Sequence, residues 1–309
     1  MDASDHQQHG KKMEGVEFGY KKFLCLSSQM IFDEKGLCYG FKLRKGSTHS
    51  CVDAAEMLYQ TLHRVSAGVQ KFFRADSAYS SMEIYNTCLN QKTHFGIALK
   101  ENVWNSILEK NKRNLKWQKT KLRFFDSEKC EITSCLYPLN GLAQSKKFLR
   151  VVFIRTKIIN PKKGEKHTHY HYAIVTDMTE KEMNNEHVMK FYRKRSQVEN
   201  NIKDLKNGMD FHHFPCMSLR ANNIWGLIGI IAYNLMRYAS FSLREDGCFV
   251  QTTRKKIVMI AGEIISHARS IEIRIMGFIL KEVARIQKAM NFFSEGDTFR
   301  LRPREGVKT

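Results

Sequence analysis

Four carboxylates stand where residue type and spacing could do chemistry. Glu199 sits in YRKRSQVENNIKDLK, residues 192–206, among five Lys and Arg side chains. Tyr192, Arg195, Glu199 and Lys206 follow one another at intervals of three, four and seven, which places them near one face of a helix. A carboxylate so placed is either an ordinary ion-pair partner of Arg195 and Lys203 or a metal ligand on a surface built to hold a polyanion. Asp76 opens the turn after the apolar run VQKFF, in RADSAYSS. That position suits a ligand site at the carboxyl end of a sheet strand, and equally an Asx-turn or helix cap. Asp2 and Asp5 lie in DASDHQQHG, as ligands or as part of a frayed polar end. Spacing alone leaves each of these alternatives open.

The composition favours a polyanionic partner. The 309 residues carry 51 Lys and Arg against 31 Asp and Glu, a formal charge of +20, spread along the whole chain. Solubility needs far less imbalance, whereas each phosphate neutralised by such a surface releases counterions. With 42% apolar positions the chain can bury a large core. Eight cysteines, none in a CxxC pair, read as thiols in a reducing cytoplasm, and Cys130 and Cys135 lack a second pair for zinc. No basic and apolar leader opens the sequence, and the apolar run IWGLIGIIAYNLM is shorter than the roughly 20 residues a membrane span needs. A soluble cytoplasmic protein without membrane contact is expected.

The elements that must position the carboxylates fall into an α/β, then β, then α order. A hairpin is expected over 20–43 around FDEKG, helices over 52–64 and 80–90, and strands at VQKFFRAD and at 94–100. From about 115 to 176 four strand-like runs follow with no convincing helix. They carry Lys119, Lys121, Arg123, Lys146, Lys147, Arg150, Lys157, Lys162 and Lys163, interleaved with Trp117, Phe124 and Phe148, a candidate basic face for a phosphate backbone. Helical periodicity returns over 186–205 and 218–238, the latter with Trp225 and Tyr233 as core residues, and HARSIEIRIMGF contains a candidate strand. His167, His169 and His171 share one face of a strand, but without a carboxylate or cysteine partner they read as solvent- or DNA-facing.

The order and content of these motifs resemble a known family. Y192-x2-R195-x3-E199-x6-K206 matches the signature of DDE transposases of the insertion-sequence 4 superfamily, and DASDHQQHG is similar to the first-aspartate motif of its 1380-like branch. RADSAYSS resembles the second-aspartate motif R-x-D-S-x-F with Tyr79 in place of Phe, and LRKGSTHS resembles L-R-x-G-N-x-H with Ser47 in place of Asn. The resemblance spans essentially the whole chain. It implies an RNase H-like catalytic core interrupted by a β-rich insertion domain: 1–110 as the first part of the core, 111–177 as the insertion, 178–293 as the rest of the core with the signature helix, and 294–309 as a flexible tail. It implies Asp2, Asp76 and Glu199 as a catalytic triad holding two Mg²⁺ ions, with Mn²⁺ able to substitute. Tyr192, Arg195, Lys203 and Lys206 would contact DNA; His9 and His49 are candidates for lining the site, and Asp5 is a second choice for supporting it.

The implied function is cut-and-paste DNA transposition: binding of double-stranded DNA with terminal inverted repeats, metal-dependent phosphodiester cleavage and strand transfer, with a homodimer in the active complex. Family members usually carry a helical region before the first aspartate, so the resemblance also implies a chain lacking its N-terminal region. The alternative is a truncated, catalytically inactive DNA-binding remnant; a ribosome-associated basic protein would leave the ordered carboxylates unexplained.

Overall fold

The computed structural model describes residues 1–66, 68–124, 129–143, 148–158, 169–242, 249–257, 262–267, 270–275 and 302–303. The expectations for Lys146, Lys147, Lys162, Lys163 and His167, and for nearly all of the 294–309 tail, lie outside these residues. The fold is mixed α/β and divides into two compact units, one of Met1–Asn200 with Met217–Leu219 and the other of Asn201–Cys216 with Arg220–Thr309.

The first unit opens with an antiparallel sheet. Strand β3 (Leu24–Phe32) pairs with β1 (Asp2–Gln7), with the short β2 (Glu17–Phe18) and with β4 (Cys38–Lys45). The β3–β4 reversal is the expected FDEKG turn: Asp33 Oδ1 accepts from Lys35 N at 2.9 Å and Leu37 N at 2.8 Å, and Gly36 takes the left-handed φ of 82°. β1 is a regular strand although its sequence is polar, because it pairs with a stretch whose own polar side chains are buried. His6 meets Ser28 at 2.6 Å in the interior, and Ser27 and Gln29 are buried beside it. In LRKGSTHS the glycine is required: a Cβ on Gly46 would lie 2.1 Å from the Cys25 carbonyl oxygen.

The same unit continues through α1 (Ala54–His63), β5 (Lys71–Ala75), α2 (Met82–Asn90), β6 (Thr93–Ala98), α3 (Glu101–Asn111), β7 (Gln118–Thr120), β8 (Cys130–Pro138), β9 (Phe148–Lys157) and β10 (His169–Thr176). These strands form one six-stranded sheet in the order β5-β6-β10-β9-β8-β7, so the β-rich stretch extends the sheet that β5 and β6 begin. β5 and β6 are parallel, and α2 supplies the crossover that this requires. Both faces are covered: Val151, Phe153, Ala173 and Val175 pack with α1, α2 and α3, while Val152, Ile154 and Ile174 pack with a further helix, α4 (Asn185–Arg193). Burial on both faces is why β9 reads VVFI without alternation. The Met1 nitrogen donates to the Arg74 carbonyl at 3.3 Å, joining the start of β1 to β5.

The 186–205 periodicity is not one helix. α4 ends at Arg193, a 3-10 turn spans Lys194–Ser196, and α5 (Gln197–Gly208) follows and runs on into the second unit. α3 was not foreseen from sequence; Trp104 and Ile107 bury its inner face.

The second unit contains α6 (Leu219–Ser242), α7 (Val250–Ile257) and the strands β11 (Gly262–His267), β12 (Ser270–Ile275) and β13 (Arg302–Pro303). Asp204 Oδ1 accepts from Val250 N at 2.9 Å at the start of α7, and Gly208 accepts from Arg254 at 2.9 Å. Phe211, Phe214 and Trp225 pack ring against ring, and Gly229 admits the Phe211 ring where a Cβ would come within 2.4 Å. Tyr233 is fully buried, as expected of a core residue. β12 lies within the stretch HARSIEIRIMGF expected to hold a strand, and it pairs antiparallel with β11, which ends where that stretch begins. Among the described residues no helix is long and apolar enough to cross a membrane, and the described cysteines are thiols rather than disulfides.

Candidate active site

Three segments of the first unit bring carboxylates together. Asp2 is the first residue of β1, opposite Met30 of β3. Asp76 follows the last residue of β5 and caps the 3-10 turn Ser77–Tyr79, its Oδ1 accepting from Ala78 N at 2.9 Å. Glu199 lies in the first turn of α5. All three converge on Arg195 in the 3-10 turn between α4 and α5. Its Nη2 is 3.0 Å from Asp2 Oδ2 and 3.7 Å from Asp76 Oδ2, and its Nη1 is 2.7 Å from Glu199 Oε1.

Asp76 is therefore both the turn cap and a member of the cluster. One oxygen serves the backbone and the other faces Arg195. Glu199 forms the i,i+4 ion pair that the spacing allowed, yet through the same guanidinium that holds Asp2.

Burial differs along the cluster. Asp2 and Arg195 are 14% and 17% exposed in their side chains, against 60% for Glu199, so the site grades from a half-dry floor to an open rim. Burial pushes the Asp2 carboxyl above the usual carboxylate range; Arg195 works against this, and the neighbouring charge of Asp76 adds to it. Burial also works against the Arg195 charge, but Asp2, Tyr192, Asp76 and Glu199 outweigh it and hold the guanidinium above its ordinary value. The Arg195 Nε, also buried, has no hydrogen-bond partner among the described residues.

Among the described residues no three His, Cys, Asp or Glu side chains stand close enough to hold a metal ion directly. The carboxylates are instead bridged by the guanidinium, a single positive charge among three acids. As a donor set they are all oxygen, the ligand type that suits Mg²⁺ or Mn²⁺ over zinc.

The sequence profile of the family "Transposase DDE domain group 1" matches residues 1–287, a span that contains all three carboxylates and Arg195. The chain belongs to this family. No curated protein matches it.

Within this transposase DDE domain, the other expected site residues are distributed differently. Tyr192, on α4, is buried, and Tyr172 of β10 donates to its hydroxyl at 2.9 Å; burial and then Tyr172 push its phenol well above the usual range. Lys203 is exposed and Lys206 half-buried, further along α5 in the second unit. Asp5 is three positions from Asp2 and so lies on the opposite face of β1. His49 Nδ1 is 3.0 Å from Cys51 Sγ, in a loop whose backbone is held by the buried Arg44 through the carbonyls of His49, Ser50 and Val52. His9 is exposed after the end of β1.

The basic load of the β-rich stretch is mixed in character. Lys119, Lys121, Arg123 and Lys157 are exposed, but Arg150 is buried and donates to Met183 O at 2.5 Å and Asn185 Oδ1 at 3.4 Å beside the start of α4. The Arg155 guanidinium lies 3.9 Å from the centre of the Trp117 ring and is paired with Glu131 at 2.7 Å. His171 packs against Trp104 and Trp117 with centroids 5.7 and 5.9 Å away, so its ring belongs to an aromatic cluster rather than to bare surface.

Proposed function

We propose that the chain is a DNA transposase that binds duplex DNA bearing terminal inverted repeats, as two copies in the active complex, and cleaves and transfers its strands with divalent cations held by Asp2, Asp76 and Glu199. The observation that carries this reading is the convergence of those three carboxylates, drawn from β1, the end of β5 and α5, on one guanidinium. Family membership over residues 1–287 supports it, as does the +20 charge.

The architecture is read as an RNase H-like core. The run β4-β3-β1 is antiparallel, the Met1–Arg74 hydrogen bond carries it to β5, and β5-β6 is parallel. Residues 111–177 are read as an insertion that lengthens the sheet, and 178–293 as the remainder of the core.

Cleaving a phosphodiester adds negative charge to a group that already repels nucleophiles, so the site must supply positive charge at fixed positions. When bound, Mg²⁺ at such carboxylates acts as a Lewis acid that lowers the pKa of an attacking water or hydroxyl and steadies the leaving oxygen. The chain's own residues do the rest. Asp2 and Asp76 hold the inner end of the site on strand ends, which are more rigid than loops. Glu199, at the open rim, is the carboxylate nearest to an arriving strand. Arg195 balances the acids before DNA arrives, and its planar fork suits a phosphate bidentately. Exposed Lys119, Lys121, Lys157 and Lys203, with the half-buried Lys206, contribute salt-dependent affinity for the backbone.

The test is nicking of a duplex carrying the terminal inverted repeat. The reading expects Mg²⁺-dependent nicking that is lost in Glu199→Gln. Equal nicking by the variant would remove Glu199 from the site, and no nicking by the unaltered chain with Mg²⁺ or Mn²⁺ would favour a DNA-binding remnant.

A further inference from the structure

The cluster at Arg195 depends on where α4 stops, and one residue outside the carboxylate set contacts both Met1, beside Asp2, and the last turn of α4. Arg74 lies two positions before Asp76 on β5. Along that strand Phe73 and Ala75 are buried in the core shared with α1 and α2, so Phe72 and Arg74 face the other side of the sheet, where α4 packs. The Arg74 carbonyl accepts from the Met1 nitrogen at 3.3 Å, next to Asp2. Its side chain reaches α4: Nη1 donates to the Phe191 carbonyl at 3.1 Å, and the guanidinium lies 5.1 Å from the centre of the Phe191 ring.

Phe191 is seated in a slot made for it. Phe72 meets its ring edge-on at 5.8 Å, and Gly96, the register partner of Arg74 on β6, leaves room where a Cβ would come within 3.0 Å of the ring. The carbonyl that Arg74 takes belongs to the last turn of α4, the negative end of the helix, which a cation complements. Two residues after α4 ends, the chain presents Arg195.

We infer that Arg74 is a positioning residue for the carboxylate site: by gripping the last turn of α4 from the strand that leads into Asp76, it fixes the break between α4 and α5 and so the place of Arg195 and Glu199 relative to Asp2 and Asp76. Lysine offers one point charge in place of a planar fork and cannot both hold the carbonyl and lie flat on the ring. The inference deepens the transposase reading and rests on it for its kinetic arm only.

The experiment compares Arg74→Met, Arg74→Lys and Gly96→Ala, the last crowding Phe191 from the neighbouring strand β6. Each is followed by thermal melting, by NMR of the Arg195 guanidinium in the metal-free chain, and by nicking kinetics on the terminal-repeat duplex. The expected result for Arg74→Met and Gly96→Ala is a shifted Arg195 signal with faster guanidinium rotation. The expected kinetics are a fall in kcat of at least about tenfold with little change in KM for DNA, since small displacements of positioned groups are costly. Arg74→Lys should recover part of both. A wild-type Arg195 signal in both Arg74→Met and Gly96→Ala would overturn the inference, and so would unchanged kcat. If the unaltered chain does not nick, the transposase reading fails while the NMR comparison still decides the positioning role. If Arg74→Met does not fold, Arg74→Lys and Gly96→Ala decide it on the same criteria.

Discussion

Arg195 Nη2 lies 3.0 Å from Asp2 Oδ2, although 193 positions separate the two residues. This contact ties the first strand of the chain to the break between α4 and α5 and brings Glu199 and Asp76 to the same cation. On the proposed function, the guanidinium and a divalent metal would be alternative sources of positive charge for one set of acids, an exchange with measurable consequences.

Removing Arg195 should uncover the repulsion it now offsets. In Arg195→Ala, Asp2 and Asp76 keep their half-buried places without a counter-charge, and the metal-free chain should lose about 1–3 kcal/mol of stability, as when one partner leaves a partly buried pair. Added Mg²⁺ should restore more stability to the variant than to the unaltered chain. Chemical denaturation with and without Mg²⁺ measures both effects; an equal Mg²⁺ response in the two proteins would contradict the shared role.

Tyr192 should prove structural in the DNA-free chain. Its hydroxyl is engaged by Tyr172 between β10 and α4. Tyr192→Phe should cost about 0.5–1.5 kcal/mol, the net value of one hydrogen bond, and Tyr172→Phe a similar amount, with the double variant costing less than the sum. The salt dependence of DNA affinity should not change in Tyr192→Phe, because no phosphate-neutralising cation is lost.

How far the sequence revealed these relations depended on the physical signal each segment carries. β9 announced itself through VVFI, because both faces of its strand are buried and every residue is apolar. β1 gave no such sign: DASDHQ pairs with a β3 that buries Ser27, Ser28 and Gln29, so polar pairs with polar inside the sheet and the alternation rule has nothing to detect. The choice of Asp2 as a ligand rather than part of a frayed polar end came only from resemblance to a family. The spacing of Tyr192, Arg195 and Glu199 fits a continuous helix, which hid the 3-10 turn at Lys194–Ser196; the break is set by long-range contacts such as Arg74 to Phe191. Asp76 was legible as a cap, and it is one, but its second oxygen serves a residue 119 positions away that no local pattern reports.

The second unit offers a test through pH. Burial pushes the Asp204 carboxyl above its ordinary range, while the Val250 N–H and Arg237 oppose the shift. A carboxyl with a raised folded-state pKa binds its proton more tightly when folded, so its contribution is most favourable below the ordinary carboxylate pKa and declines as pH rises through the folded value. Asp204→Asn keeps an acceptor for Val250 N and removes the titration. The stability of the unaltered chain relative to this variant should therefore fall as pH rises above the ordinary carboxylate pKa of about 4. Denaturation midpoints across that rise check the sign; a relative gain with rising pH would contradict it.

The central claim is that Asp2, Asp76 and Glu199 form one divalent-cation site, and Mn²⁺ binding to the metal-free chain, followed by electron paramagnetic resonance, tests it most directly. The unaltered chain should bind Mn²⁺, competed by Mg²⁺, and Asp2→Asn, Asp76→Asn and Glu199→Gln should each weaken that binding by at least about tenfold while melting cooperatively. Mn²⁺ affinity that is unchanged in all three variants would contradict it.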